Sequence, residues 1–237
     1  MMSKKYSISV IFPVYNEEDN IKKVIKEAID FLLSQRKFNE YEIIIVNDGS
    51  KDNTNSILKE LKPITPNLKI ISHPKNLGYG QALMSGIQQA DFDYIFFMDA
   101  DGQFQIGELE KLAVYLPEFA VILGYREKRK DNLYRKVLGK SYSLLLSLFF
   151  GLKLKDVNCG YKLFEKNVLN CRDVISRGGV FYGEVLLKAK HKGYKFKEVP
   201  VKHFPCFSGK QTGGTLKVVL GAIVDLIYLK YFQVMNL

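Results

Sequence analysis

The chain has 237 residues, 47% hydrophobic and 25% charged, enough for one domain with a full core and too apolar for a disordered segment. Its three cysteines, Cys159, Cys171 and Cys206, match no zinc or redox spacing and are odd in number, which argues against a disulfide scaffold and for reduced thiols in a cytosolic setting. The net charge of +10 is uneven: residues 1–120 carry 13 Lys and Arg against 17 Asp and Glu, residues 121–237 carry 22 against 8. A basic second half suits an anionic partner such as a nucleic acid, a diphosphate or a lipid surface, while scattered surface lysines account for part of the excess.

Met1–Lys5 lead straight into an apolar run, and no signal peptide is expected. Strands are predicted over Ser7–Val14, Tyr41–Asn47, Leu68–Ser72, Tyr94–Asp99 and Phe119–Tyr125. Between them, helices are predicted over 17–36, with Ile21, Val24, Ile25, Ala28, Leu32 and Leu33 at helical spacing, and over Thr54–Leu61, Gly80–Gln89 and Ile106–Leu116. This alternation implies a largely parallel sheet with helices on both faces. The last 110 or so residues are less regular: helices over Leu133–Leu152, Phe181–Lys192 and Thr215–Phe232, and a strand over Tyr194–Val201. Repeats and long linkers are absent, so one domain spans 1–237, with a first half over 1–125 and a second over 126–237.

Ligands of parallel sheets bind beyond the carboxyl ends of the strands. That rim collects Pro13–Glu17, Asn47–Asp52 and Asp99–Gln103. Pro13 cannot donate to a ladder, so the chain is expected to leave the sheet there. Tyr15 can stack on a base or pack in the core; Glu17 can accept from a sugar hydroxyl or cap the next helix. Asp48 suits a nucleobase N–H, Ser50 or Asp52 a helix N-cap, and Gly49 a tight turn. Gly78 and Gly80 precede a helix and can let backbone N–H groups approach a phosphate, although Leu83 breaks the dinucleotide fingerprint. Asp99-Ala100-Asp101, with Gln103, ends the buried run Tyr94–Met98. Two unpaired carboxylates cannot face a core. Oxygen ligands of this kind suit Mg²⁺ or Mn²⁺ shared with a substrate diphosphate, a polar turn being the alternative.

Pro13-Val14-Tyr15-Asn16-Glu17, Asn47-Asp48-Gly49-Ser50, Asn76-x-Gly78-x-Gly80-x-Ala82 and Asp99-Ala100-Asp101-x-Gln103 occur in the order and spacing of family 2 glycosyltransferases. The chain resembles most the dolichol-phosphate mannosyltransferase branch, the polyprenol-monophosphate glycosyltransferases. Gly124-Tyr125-Arg126, Arg135, Asp156-Val157-Asn158-Cys159-Gly160-Tyr161-Lys162-Leu163-Phe164, Gly183-Glu184 and Glu198-Val199-Pro200-Val201 extend the resemblance over residues 7–230. It implies a GT-A fold: a Rossmann-like, mostly parallel sheet continuous with an acceptor-side region carrying amphipathic helices. It implies a nucleotide-sugar donor, GDP- or UDP-linked, with Pro13, Tyr15, Glu17 and Asp48 on the nucleoside and Asp99, Asp101 and Gln103 on the metal. Arg126 and Arg135 would face the acceptor phosphate. Asn47 replaces a common aspartate, Gly139 a common serine and Cys206 an arginine, for which Lys202, His203 or Lys210 can stand in.

A polyprenyl phosphate acceptor already carries an oxyanion and needs positioning more than a base, whereas a sugar hydroxyl needs a carboxylate base, for which Glu184 is the candidate. Glu184 can equally orient the Asn158–Gly160 loop. Seven basic residues within 126–140 precede the apolar run Ser141–Leu152. That run is too short to span a bilayer, which takes about 20 apolar residues, but it suits peripheral docking on an anionic, cytoplasmic membrane face. The leading expectation is an inverting, metal-dependent sugar transfer to polyprenyl phosphate. A glycan or another lipid-linked acceptor, and a non-catalytic nucleotide-sugar-binding domain, are the alternatives. Nucleic-acid binding is disfavoured, since aromatics are not interleaved with the basic cluster.

Overall fold

Seven strands build one sheet in the computed structural model, which describes residues 5–128, 130, 133–169, 174, 176, 178, 180–205, 221, 224–227, 230 and 231. They are β1 (Tyr6–Val14), β2 (Phe38–Asn47), β3 (Leu68–Ser72), β4 (Tyr94–Phe97), β5 (Val121–Arg126), β6 (Lys162–Glu165) and β7 (Phe196–Val201). The helices are α1 (Ile21–Ser34), α2 (Thr54–Leu61), α3 (Tyr79–Gln88), α4 (Leu109–Ala113), α5 (Leu133–Phe150) and α6 (Phe181–His191). The sheet order is β3-β2-β1-β4-β6-β5-β7. Pairing is parallel except at β6, which runs antiparallel to both β4 and β5.

Alternation in β1 sends Ile8, Val10 and Phe12 to one face, packed on α1, α2 and α4, and Ile11 to the other, packed on α3, α5 and α6. Phe12, Phe96 and Phe97 are fully buried, each contributing about 1.5–3 kcal/mol of burial. The mixed α/β fold with a mostly parallel sheet and helices on both faces is the architecture expected from the alternation.

Several boundaries differ from expectation, three of them for a visible reason. Pro13 stays in β1, paired in register with Val46. Ile11 C=O accepts from Met98 N on the β4 side, so two residues on Pro13 turns its missing donor to that same side, where β4 has already ended at Phe97. Helix α1 starts at Ile21 rather than 17, because the Glu17 carbonyl accepts from both Asn20 N and Ile21 N in a turn, and Asn16 sits at φ +57°. Residues 106–116 split into a short 3₁₀ turn and α4. Strand β6 was not foreseen: four residues with a lysine in them carry little pattern of their own, and the strand exists by pairing on both sides. The predicted helix over 215–232 lies largely outside the described residues; residues 221, 224–227, 230 and 231 are helical.

Because β1 to β5 and β7 all run the same way, the loops after Val14, Asn47, Ser72, Phe97, Arg126 and Val201 share one rim. The antiparallel β6 adds the 156–161 loop that precedes it.

Candidate active site

On the β1–β3 side, the loops after β1 and β2 are stitched by reciprocal hydrogen bonds. Asn16 N donates to Ser50 Oγ (3.0 Å) and Asn16 Oδ1 accepts from Lys51 N (2.8 Å). Glu17 N donates to Thr54 Oγ1 (2.9 Å) and Glu18 N to Asp52 Oδ2 (3.1 Å). Asp52 Oδ1 also takes Thr54 N (3.1 Å) at the start of α2, while Ser50 is used on Asn16. Burial acts to raise the Asp52 pKa, but hydrogen bonds from the Thr54 side chain and from the Thr54 and Glu18 backbone outweigh it and hold it below the ordinary value. Beside these loops opens a cavity of about 380 Å³ lined by Tyr15, Asn47, Gly49, Ser50, Lys51, Asn55, Ser72, His73, Pro74, Lys75 and Asn76. Gly49, at φ +69°, permits its wall: a Cβ there would lie 2.3 Å from the carbonyl carbon of Lys75.

Asp48 is buried beneath this wall and lines no part of it. Its Oδ1 accepts from Leu77 N (2.8 Å) and meets His73 Nδ1 (2.7 Å), and its Oδ2 accepts from Gly78 N (2.9 Å). A carboxylate has about four acceptor sites, so the fold uses three, and the Gly78 N–H expected to face a phosphate is turned inward. Gly80 is buried in the first turn of α3. The neighbouring Asn47 faces the cavity instead, its Oδ1 held by Ser50 N (3.0 Å).

The acidic tip lies between β1 and β4. Asp99 and Asp101 are half-buried. Asp99 Oδ1 accepts from Tyr79 Oη at 2.7 Å, and Tyr79 Oη lies 3.3 Å from Tyr182 Oη on α6. Asp101 Oδ1 accepts from Gln103 N (3.0 Å). Gln103 is buried, and its Nε2 donates to Phe204 C=O (3.1 Å) while Phe204 N returns a bond to Gln103 C=O (2.9 Å). The side chain thus clamps the loop after β7. Glu17 stands at the same tip: burial first, then Asp99, Asp52 and Asp19, push its pKa up, against a 2.7 Å bond from Asn20.

On the far side, Arg126 at the end of β5 grips Asp156 in a two-pronged pair, Nε to Oδ2 at 2.6 Å and Nη2 to Oδ1 at 2.8 Å. Both side chains are largely buried. Arg135 lies on α5 with its side chain outside the described residues, as do Lys210 and Cys206 entirely. His203 is buried, accepts from Lys130 N at Nδ1 (3.2 Å) and packs edge-on against Phe104. The Glu184 carboxylate is 1% exposed; Oε2 accepts from Ser176 N and Oε1 from Lys188 Nζ, both at 2.7 Å. The bonds to Ser176 and Lys188 engage both oxygens within the fold, whereas a general base needs an oxygen aimed at substrate.

A family model described as glycosyl transferase family 2 matches residues 9–173, more than half of the chain. The chain belongs to glycosyl transferase family 2. Over 97% of its length and 75% of the relative, this family 2 glycosyltransferase is 29% identical to the dolichyl-phosphate beta-glucosyltransferase ALG5D of Trichomonas vaginalis. Its identity to ALG5A of the same organism is 30% over 82% of the chain and 65% of the relative. To the undecaprenyl-phosphate 4-deoxy-4-formamido-L-arabinose transferase of Proteus mirabilis it is 31% identical, over 69% of the chain and 50% of the relative. Among solved structures, glucosyl-3-phosphoglycerate synthase from Mycobacterium tuberculosis in complex with phosphoglyceric acid superposes with a TM-score of 0.72 at 18% identity, covering 94% of this chain and 79% of that one. The same enzyme in complex with Mn²⁺, UDP and glucosyl-3-phosphoglycerate gives 0.70 at 16%, covering 95% and 80%. The fold is GT-A.

The acidic tip of this glycosyltransferase fits a hard divalent cation. Among the described residues, no cluster of three or more His, Cys, Asp or Glu is spaced to enclose a metal by itself. Two half-buried carboxylates at a strand end, beside a Glu17 whose pKa is raised by burial and then by the carboxylates around it, match an ion completed by substrate phosphates and water.

Several residues at the site had no role from sequence. Tyr79 falls on an unspecified position of the Asn76–Ala82 motif, and Tyr182 and His73 belong to no quoted motif. Asp156 and Lys162 lay inside a quoted motif without a function. Lys162 is fully buried in β6, donates to the Cys159 carbonyl, and holds its ammonium 4.5 Å from the Tyr182 ring centre. Burial lowers its pKa, opposed by Cys159, Asp156 and Asp99. A lysine interrupting the apolar run Tyr161–Phe164 was the available signal.

Proposed function

We propose that this glycosyltransferase moves a hexose, glucose foremost, from a UDP- or GDP-sugar to a polyprenyl phosphate with inversion at the anomeric carbon. The observation that carries the reading is the acidic tip of Asp99 and Asp101, standing on one rim between the cavity beside Tyr15 and the Arg126–Asp156 pair. The names of the relatives, dolichyl-phosphate beta-glucosyltransferases and an undecaprenyl-phosphate transferase, support the acceptor class and the sugar.

In this reading the nucleoside occupies the cavity, with Tyr15 against the base and Pro13 and Glu17 at the entrance. Asp99 and Asp101 hold Mg²⁺ or Mn²⁺ with the diphosphate, and Gln103 shapes that site from below through Phe204. A bound divalent ion would stabilise the charge developing on the departing nucleoside diphosphate. The acceptor phosphate oxygen attacks C1 from the face opposite the diphosphate; the new C1–O bond forms as the old one breaks, and no proton need be removed. Engagement of both Glu184 oxygens inside the fold accords with a reaction that needs no carboxylate base. Asp156 holds Arg126 at the acceptor side, where Arg135 and Lys210 would add positive charge.

The same reading has the protein docked peripherally on the cytoplasmic face of an anionic membrane. No helix among the described residues is long and apolar enough to cross one. On α5, Tyr142, Leu146 and Phe150 face the core, while Leu133, Val137, Leu144 and Leu148 form an exposed apolar stripe. Lys230 joins the C-terminal segment to it by donating to Phe149 C=O (3.0 Å), and Val224, Ile227 and Tyr231 extend the exposed apolar surface.

The test is incubation with Mn²⁺, a panel of labelled UDP- and GDP-sugars, and either polyprenyl phosphate or phosphoglyceric acid, followed by organic extraction. Label in the lipid phase with one donor is the expected result. Label only in a water-soluble product, or in none, rejects the acceptor assignment.

A further inference from the structure

One hydrogen-bond chain at the rim is explained neither by the acidic tip nor by the acceptor side. Ser85 Oγ on α3 lies 2.9 Å from His73 Nε2, and His73 Nδ1 lies 2.7 Å from Asp48 Oδ1. The His73 and Asp48 side chains are only 9% and 5% exposed. Serine, histidine and aspartate in this order resemble a hydrolytic triad, but Ser85 stands inside α3, where backbone N–H groups are committed to helix bonds and cannot serve as oxyanion donors.

The chain instead fixes a loop. Asp48 Oδ1 accepts from Leu77 N and Oδ2 from Gly78 N, so the ring nitrogen facing that carboxylate is the donor. Nε2 is in turn held by the Ser85 hydroxyl at 2.9 Å. With the imidazole gripped at both nitrogens, Asp48 is aimed at the two amides that close the 73–78 loop. His73, Pro74, Lys75 and Asn76 of that loop are cavity wall, seated so closely on Gly49 that a Cβ there would overlap the Lys75 backbone.

We propose that His73 is a positioning residue for donor binding: the Ser85–His73–Asp48 chain holds the 73–78 loop ready as the wall of the nucleoside cavity. The inference rests on the reading that this cavity takes the nucleoside. Its physical content is preorganisation: a loop already ordered costs nothing to order when the ligand arrives.

The experiment uses the full chain with UDP and Mn²⁺ in titration calorimetry, donor kinetics, and amide exchange at Leu77 and Gly78. His73→Ala is expected to raise the UDP Kd and the donor KM about tenfold, the scale of one lost hydrogen bond to a charged group. kcat and the acceptor KM move little, and the two amides exchange faster. His73→Asn, whose Nδ2 can occupy the place of Nδ1 and donate to Asp48, is expected to recover most of the affinity. Ser85→Ala gives an intermediate loss. If His73→Ala does not fold, the Asn and Ser85 variants make the same comparison. Wild-type UDP affinity in His73→Ala, or a fall in kcat at unchanged donor KM, overturns the inference. A wild-type chain that binds neither UDP nor GDP overturns the nucleoside reading itself, and this inference with it.

Discussion

A Cβ on Gly160 would lie 2.1 Å from Asp99 Oδ2. The glycine is what lets the loop before β6 press against the carboxylate that Tyr79 holds from the other side. Gly160→Ala should leave a folded protein, at a cost of about 1–3 kcal/mol for the forced shift, yet reduce transfer on the order of a hundredfold by moving Asp99. Paired thermal melts and turnover check this; unchanged turnover would show that the contact is not needed. Next to it, Cys159 is buried and unpaired. Burial, with Asp156 adding, pushes its thiol up to about 11, against Lys162 and Arg126. Iodoacetamide at pH 8 should therefore spare Cys159 in the native protein and modify it in urea, as read by peptide mass spectrometry. Residue types pointed to the acidic tip, because unpaired carboxylates at a strand end demand an explanation; the close approach of Gly160 to Asp99 was not legible. They did not predict that Asp48 would be used inside the fold while Asn47 faces the cavity: adjacent residues past the end of a strand diverge by loop geometry, which short motifs do not encode.

At the scale of elements, hydrogen bonds between the loops after β1 and β2 hold the rim together. Asp52 shows how pH enters. Its folded pKa lies below the ordinary 3.8, so its contribution is full above that value and fades as pH falls through the lower folded one. Asp52→Asn should remove that contribution, lowering stability modestly at pH 7 and flattening the further loss on the acid side below about pH 4, where the two proteins converge, measured by urea unfolding across pH. An acid limb identical to wild type would mean the loop bonds are not coupled to folding. Most elements with strong periodicity were legible: α5 appears at Leu133–Phe150 against a predicted Leu133–Leu152, and β3 at its predicted bounds. The miss was β6, whose four residues gain their structure from neighbours on both sides. Tertiary pairing, not local preference, makes that strand.

Over the whole molecule, a sheet running mostly one way delivers every loop of interest to one edge, and charge follows the same division. The acidic tip belongs to the first half; the basic excess and the exposed apolar stripe of α5 belong to the second. A stripe with Leu144 at 59% and Leu148 at 71% exposure beside basic residues should float with phosphatidylcholine–phosphatidylserine vesicles and release as salt rises. The Leu144→Glu, Leu148→Glu double variant should stay in solution while still binding UDP. A wild-type chain that never floats would rule out peripheral docking. Asp99 and Asp101 are proposed to make the rim between β1 and β4 a metal-dependent nucleoside-diphosphate site. Titration of UDP into the wild type and Asp101→Asn, each with Mn²⁺ and with EDTA, tests it most directly. Binding should require Mn²⁺ in the wild type and be lost in a folded Asp101→Asn; equal binding in all four conditions would rule the metal site out.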